Sequence, residues 1–304
     1  MTTTAAAPAL VGLAALRPLL QELGDAKRVR VAAGPGSLAE QAFSRTWARL
    51  VEGEAPEQVA LSETAAAVAR ARLAGIDRAV LTAAGLSEDD ARGVLQRGCD
   101  EVAGALDAAL RERLRAALPL VREASPPPAL AEALNRQPRA GATCPGRPRI
   151  LVEPPESHGD HCLTVAVYAA VVAPLVGADP VAPFLVGVAH HLHNVELPDA
   201  GFAGEVLLGH HLERVTTTLE ERELAQLPSQ LADRLRSLLR LRADAGVPEA
   251  QAFHAADVLD RVLQVHHHAR AAAFTAAQAL DDLELVHDGP VQAFHLDVLQ
   301  AAGL

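Results

Sequence analysis

Residues 157–212 read SHGDHCLTVAVYAAVVAPLVGADPVAPFLVGVAHHLHNVELPDAGFAGEVLLGHHL, two apolar segments with histidines crowded at their ends. His158 and His161 open the first segment, and His190, His191 and His193 close the second. A helix that buries an Ala/Val/Leu face has little use for imidazoles unless the rings meet a partner, because an unpaired buried polar group is costly. His158/His161, His190/His193 and, further along, His254/Asp257 share i,i+3 spacing, which sets both members of a pair on one helix face. Pairs of this kind, projecting inward from different helices, build metal sites in helical bundles. Imidazole with carboxylate suits zinc, iron, manganese or a similar divalent ion. Asp257, in the otherwise apolar HAADVLDRVL, is the candidate acidic ligand.

Structural readings compete with this one. Asp257 can pair with Arg261 at i+4 on a solvated face, and His158 and His254 can be helix-end or surface residues. His266, His267 and His268 are consecutive, so they spread around a helix and are predicted to be mostly exposed. His210 and His211 are either additional ligands or exposed residues, and His287 and His295 are assigned structural roles.

Composition narrows the classes. The 304 residues are half apolar, with aromatics scarce and Ala and Leu abundant, a balance that favours packed helices over sheet. With 38 acidic against 27 basic residues, no nucleic-acid surface working by phosphate neutralisation is expected. Three cysteines (Cys99, Cys144, Cys162) show neither CxxC spacing nor the even count of a disulfide framework. The start has no basic n-region, and Arg17 and Pro18 break its apolar run, so it reads as a packed helix rather than a signal peptide. No uninterrupted apolar stretch looks long enough to span a bilayer, and a cytoplasmic protein is expected.

In chain order, helices are predicted over 8–24, 57–74, 76–84 and 87–121, with RVRVAAGPGS at 28–37 a short strand or an extended turn. Ser37 and Glu40 have capping-box spacing ahead of a helix whose Phe43, Trp47 and Leu50 form a core stripe. This half contains no histidine, so residues 1–124 read as a helical accessory domain, open to a protein partner or to self-association. Residues 125–157 are rich in proline and arginine and read as a connection, with ILVEP a brief strand. Arg136, Arg139, Arg147 and Arg149 there are read as solvated linker charge rather than a phosphate site. Residues 158–304 form the domain that carries the histidines.

The order of these residues resembles the HD-domain superfamily of metal-dependent phosphohydrolases. HCLTVAVYA looks like the first helix of that pattern, with His161 as ligand, and ADVLDRV like the last, with Asp257 as ligand. LVGVAHHLHNVELPD resembles the helix carrying the family's His-Asp doublet. The similarity covers roughly residues 158–270. The doublet departs from the pattern in either of two registers: His193-Asn194, slightly favoured by the LHNV order, or His190-His191. The family's doublet Asp is a metal ligand and bridges two metals in binuclear members; here Asn or His stands in its place.

The resemblance implies an all-α fold with an HD-like bundle in the C-terminal half. It also implies a divalent ion (Mn, Fe, Zn, Co or Mg) and hydrolysis of a nucleotide or another phosphate ester. His161, His190, His193, Asn194 and Asp257 are the candidate metal ligands, with His191 in the other register and His158, His210 and His211 in reserve. Asp199 or Glu205 is the candidate base or orienting group, from proximity in sequence. The alternative is a degenerate HD-fold module, serving signalling or protein interaction without catalysis; an iron oxygenase variant of the fold ranks third.

Overall fold

Helix-forming sequence makes up the fold, and a side-chain cap starts five of its helices. The computed structural model describes residues 10–32, 34–121, 126–269, 275–282 and 284–304. Among them the first half of the chain forms α1 (Leu13–Gly24), α2 (Leu38–Val51), α3 (Pro56–Leu73), α4 (Arg78–Ala83), α5 (Glu88–Val102), α6 (Ala108–Ala117) and α7 (Ala129–Arg136). The second half forms α8 (His158–Val172), α9 (Val181–Ala189), α10 (Gly201–Leu208), α11 (Leu212–Leu224), α12 (Ser229–Leu238), α13 (Pro248–Ala269) and α14 (Gln292–Ala302). The fold is all-α, as the composition predicts.

Local signals set several boundaries. Ser37 and Glu40 form the capping box that starts α2. The helix predicted over 87–121 is interrupted at 103–107, because Asp107 accepts from the Leu110 N–H at 2.9 Å and starts α6 afresh. The brief strands considered at 28–37 and around ILVEP reduce to the isolated bridges Arg30↔Ser37 and Ala142↔Ile150. Residues 8 and 9 of the first predicted helix lie outside the described residues.

The boundary expected at 125–157 does not divide the core. Leu20 of α1, Trp47 of α2 and Val59 of α3 belong to one apolar cluster with Val165 of α8, Phe184 of α9, Leu259 of α13 and Val298 of α14. The N-terminal helices are therefore a wall of the same core rather than a separate accessory unit. Helix α8 packs directly against α1, α2 and α3.

At the centre lies α8, all fifteen of whose residues are buried. With the turn that follows, it makes a 19-residue segment, His158–Val176, long and apolar enough to cross a membrane, contrary to the sequence expectation; 83% of it is buried inside the fold. It is the core helix, and its histidines are buried with it.

Candidate metal centre

The centre is assembled where α8, α9 and α13 meet. Ser157 starts α8, accepting from the Asp160 N–H at 3.1 Å while Asp160 accepts from the Ser157 N–H at 3.2 Å. This capping box sets His161 one turn inside the helix, fully buried. Helix α9 crosses close by, because Gly187 has no side chain: a Cβ there would lie 2.5 Å from the Ala166 Cα of α8. Two residues later α9 ends, so His190 and His191 emerge facing α8. On α13, Asp257 and Asp260 repeat the i,i+3 spacing and present two carboxylates to one imidazole.

The hydrogen bonds decide where the ring protons lie. His161 Nδ1 stands 2.7 Å from Asp260 Oδ2, so it carries a proton and donates to that carboxylate. His190 Nδ1 stands 2.7 Å from the Gly187 carbonyl, which can only accept, so its lone pair is on Nε2. The Nε2 atoms of the two rings face each other at 3.1 Å, and Asp257 Oδ1 is 3.4 Å from that of His161. Two imidazole nitrogens and a carboxylate oxygen converge here, an arrangement that a cation stabilises.

His191 adds a third imidazole. Asn194 donates its amide to the Leu197 carbonyl at 2.9 Å, so its Oδ1 accepts from His191 Nδ1 at 2.8 Å. The lone pair of His191 is therefore on Nε2, which accepts from Arg139 at 2.7 Å. His161, His190 and His191 each offer a ligand atom within 4.8 Å of the others.

Electrostatics keeps the group in metal-binding form. Burial, then the neighbouring histidines, holds His190 and His191 well below the usual imidazole range, so both are neutral at pH 7. Burial alone would raise the Asp257 carboxyl. Arg261, 3.2 Å away, and His161 outweigh it and hold Asp257 well below the usual carboxylate range. Asp257 thus makes both contacts that the sequence set against each other, one oxygen to Arg261 and one to His161. Imidazole nitrogens and a carboxylate at these separations fit a divalent ion with mixed N/O ligation.

A second layer comes from parts of the chain that spacing did not single out. Lys27, just after α1, donates to Glu156 at 2.7 Å and also to Asp260. Burial would lower its pKa, but Asp260 and Glu156 reverse the effect and keep the ammonium charged. Glu156, His161 and Asp260 also stand at ligand spacing, but the Lys27 ammonium already bridges the two carboxylates. The signals were faint: Lys27 is the chain's single lysine, and Asp260 follows Asp257 at the spacing of the histidine pairs. Arg139, read as solvated linker charge, is only 18% exposed and points at His191.

The other candidates are placed apart. In the two registers of the doublet, it is the His190 and His191 rings that meet His161. His193 sits in the 3-10 turn Leu192–Val195 with its Nδ1 unpartnered, and Asn194 acts by orienting His191. Asp199 accepts from the Ala140 N–H at 2.9 Å and the Gly201 N–H at 2.8 Å, which ties it to a turn, and Glu205 lines the adjoining cavity. His158 is buried against His191, ring centroids 4.7 Å apart, and is not a surface residue. His210 and His211 are exposed and pack on each other at 3.8 Å. His254 is buried and bonded to the Asp244 carbonyl at 3.1 Å. His268 is buried rather than exposed, 3.0 Å from the Gln264 amide.

A cavity of about 400 Å³ opens on His190, His191 and Asp257 and is lined by Arg139, Arg242 and Arg261 as well. Comparison with known family patterns, curated proteins and solved structures finds no match for this chain.

Proposed function

We propose that the chain is a metal-dependent phosphohydrolase of HD type, in which His161, His190 and Asp257 hold one divalent ion and His191, braced by Arg139, stands beside them. The observation that carries this reading is the approach of the His161 and His190 Nε2 atoms to 3.1 Å with a carboxylate beside them. When bound, such an ion supplies Lewis acidity toward a phosphoryl oxygen and toward water. The chain's own groups do the rest. Asp260 keeps the proton of His161 on Nδ1 and so keeps Nε2 free to ligate. Arg139 and Arg261, in the cavity wall, offset phosphoryl charge. Asp199 orients the turn that carries Arg139 and Ala140. The overall change is addition of water to phosphorus, cleavage of the ester P–O bond, and departure of the alcohol with a proton.

The test is to purify the protein without a histidine tag and measure metal by mass spectrometry, for wild type, His161→Ala and Asp257→Ala. Near-stoichiometric metal in wild type, lost in both variants, is expected, together with release of phosphate from a panel of phosphate esters. A wild type that neither carries nor takes up transition metal overturns the reading and favours a non-catalytic module. Metal without turnover of any ester retains the centre and overturns the hydrolase.

A further inference from the structure

His191 belongs to a relay of three hydrogen bonds that leads to an arginine. The Asn194 amide donates to the Leu197 carbonyl at 2.9 Å, and its oxygen accepts from His191 Nδ1 at 2.8 Å. His191 Nε2 then accepts from Arg139 Nη1 at 2.7 Å. A guanidinium has no acceptor and keeps its protons, so the lone pair of Nε2 is taken. A metal ion at the same nitrogen would have to displace Arg139, because one lone pair cannot serve two cations. His161, His190 and Asp257 converge without it, His161 Nε2 lying 3.1 Å from His190 Nε2 and 3.4 Å from Asp257 Oδ1.

The arginine has donors to spare. Of its guanidinium nitrogens, Nη1 alone is hydrogen-bonded among the described residues; Nε, 3.9 Å from Asp199 Oδ2, is beyond hydrogen-bond reach. The side chain is 18% exposed, and neither Nε nor Nη2 is sealed from solvent. Arg139 lines the same cavity as His190, His191 and Asp257. Asp199 already accepts from the Ala140 and Gly201 N–H groups, at 2.9 and 2.8 Å. The ring that holds Arg139 offers a ligand atom within 4.8 Å of those of His161 and His190, so the guanidinium lies one side chain from the centre. Open N–H groups beside a divalent ion suit a tetrahedral oxyanion, which sets one oxygen on the ion and another on the arginine.

The geometry points to Arg139 as the group that binds phosphoryl oxygen and to His191 as its positioning residue, not a metal ligand. Asn194 fixes the ring, the ring fixes Nη1, and the remaining N–H groups of Arg139 receive the oxyanion. This rests on the phosphohydrolase reading for the source of the phosphoryl group. The test uses manganese-loaded protein and inorganic phosphate, in wild type, Arg139→Gln, His191→Ala, His191→Gln and the double variant Arg139→Gln/His191→Ala. Metal is counted by mass spectrometry and phosphate binding is followed by titration calorimetry. His191→Ala should keep its metal and lose about tenfold in phosphate affinity, the worth of one charge-assisted hydrogen bond. Arg139→Gln should lose at least as much. The double variant should lose no more than Arg139→Gln, because His191 acts through the group it holds. His191→Gln, whose amide oxygen still accepts from the guanidinium, should recover part of the affinity.

Loss of metal in His191→Ala makes His191 a ligand and overturns the inference. So does unchanged phosphate affinity in that variant, or a double variant whose losses add. If His191→Ala does not fold, His191→Gln decides. Retained metal with phosphate affinity above that of Arg139→Gln supports the inference, and lost metal or affinity no better than Arg139→Gln overturns it. Failure of the phosphohydrolase reading looks different: wild type then takes up no metal or turns over no ester. The same phosphate titrations, on the protein as purified, still decide the inference by the same comparisons, and absence of phosphate binding in wild type overturns it.

Discussion

Lys27 and Asp260, 233 positions apart in sequence, form a buried ion pair directly behind the imidazole of His161. The ammonium holds Asp260 ionised, Asp260 accepts from His161 Nδ1, and Nε2 is thereby aimed at Asp257 and His190. The first half of the chain, which has no histidine, thus reaches the centre through Lys27.

Lys27→Met should therefore be severe. It strands Glu156 and Asp260 as buried carboxylates without their cation, a loss of about 3–5 kcal/mol by analogy with other broken buried pairs. Urea unfolding of the metal-free protein measures it. A midpoint shift equivalent to less than about 1 kcal/mol would mean that the pair is solvated and unimportant.

Asp260→Asn isolates the orienting role. The amide can still face His161 Nδ1 but carries no charge, so the imidazole becomes a weaker ligand. Metal affinity, measured by competition with a chromophoric chelator, should fall about 10- to 100-fold. Asp257→Ala, which removes a proposed ligand, should have the larger effect; the reverse order would place the ion on the other side of the ring.

Gly187→Ala tests the helix crossing. The added methyl would meet the Ala166 backbone at 2.5–2.6 Å, too close for either helix to yield without shifting. Overpacking of this kind costs about 1–3 kcal/mol. Here it should also separate His190 from His161, so that both Tm and metal affinity fall. Unchanged metal binding in a destabilised Gly187→Ala would show that the crossing serves the fold alone.

The buried histidines predict acid lability. Burial and Arg261 push His295 down to about 3, burial and Arg242 push His193 to about 4, and burial lowers His254. Below an unfolded value of about 6.5, the unfolded chain binds protons that the native state refuses, so stability falls as pH drops through that point. Asp160, raised to about 7 by burial and by Glu40, acts with the opposite sign between about 4 and 7, as do Glu205, Glu220 and Glu223, raised by burial. Against them stands the larger set of lowered histidines, which also includes His158, His190, His191, His268 and His287. Asp257 and Asp260, both lowered, add to the loss only below about pH 4. The Tm of the metal-free protein should be level from pH 8 to 7 and fall steadily from 6.5 to 5. A Tm that holds or rises over that range would contradict the assigned neutral rings.

Much of this was legible in the residues themselves. Helical period and caps are local properties, so α2 was readable from Ser37, Glu40, Phe43 and Trp47. Likewise the i,i+3 pairs at His158/His161 and His254/Asp257 were visible without a structure. The doublet was harder, because His190-His191 and His193-Asn194 fit the same pattern of neighbours. The choice depends on where α9 stops: after Ala189 the chain leaves the helix, and His193 goes with the turn while His190 and His191 stay against α8.

By itself, the sequence determined that the chain is helical, that its apolar α8 and α13 carry ligand-type side chains on one face, and that an acid was needed among the imidazoles. Only the tertiary structure decided which rings converge, that Asp257 and Asp260 take opposite nitrogens of His161, and that Lys27 and Arg139 stand behind the histidines. The reason is physical. Helix faces follow from spacing within a few residues, whereas a side chain meets a partner 233 positions away only because the apolar stripes of α1, α8 and α13 are buried against one another.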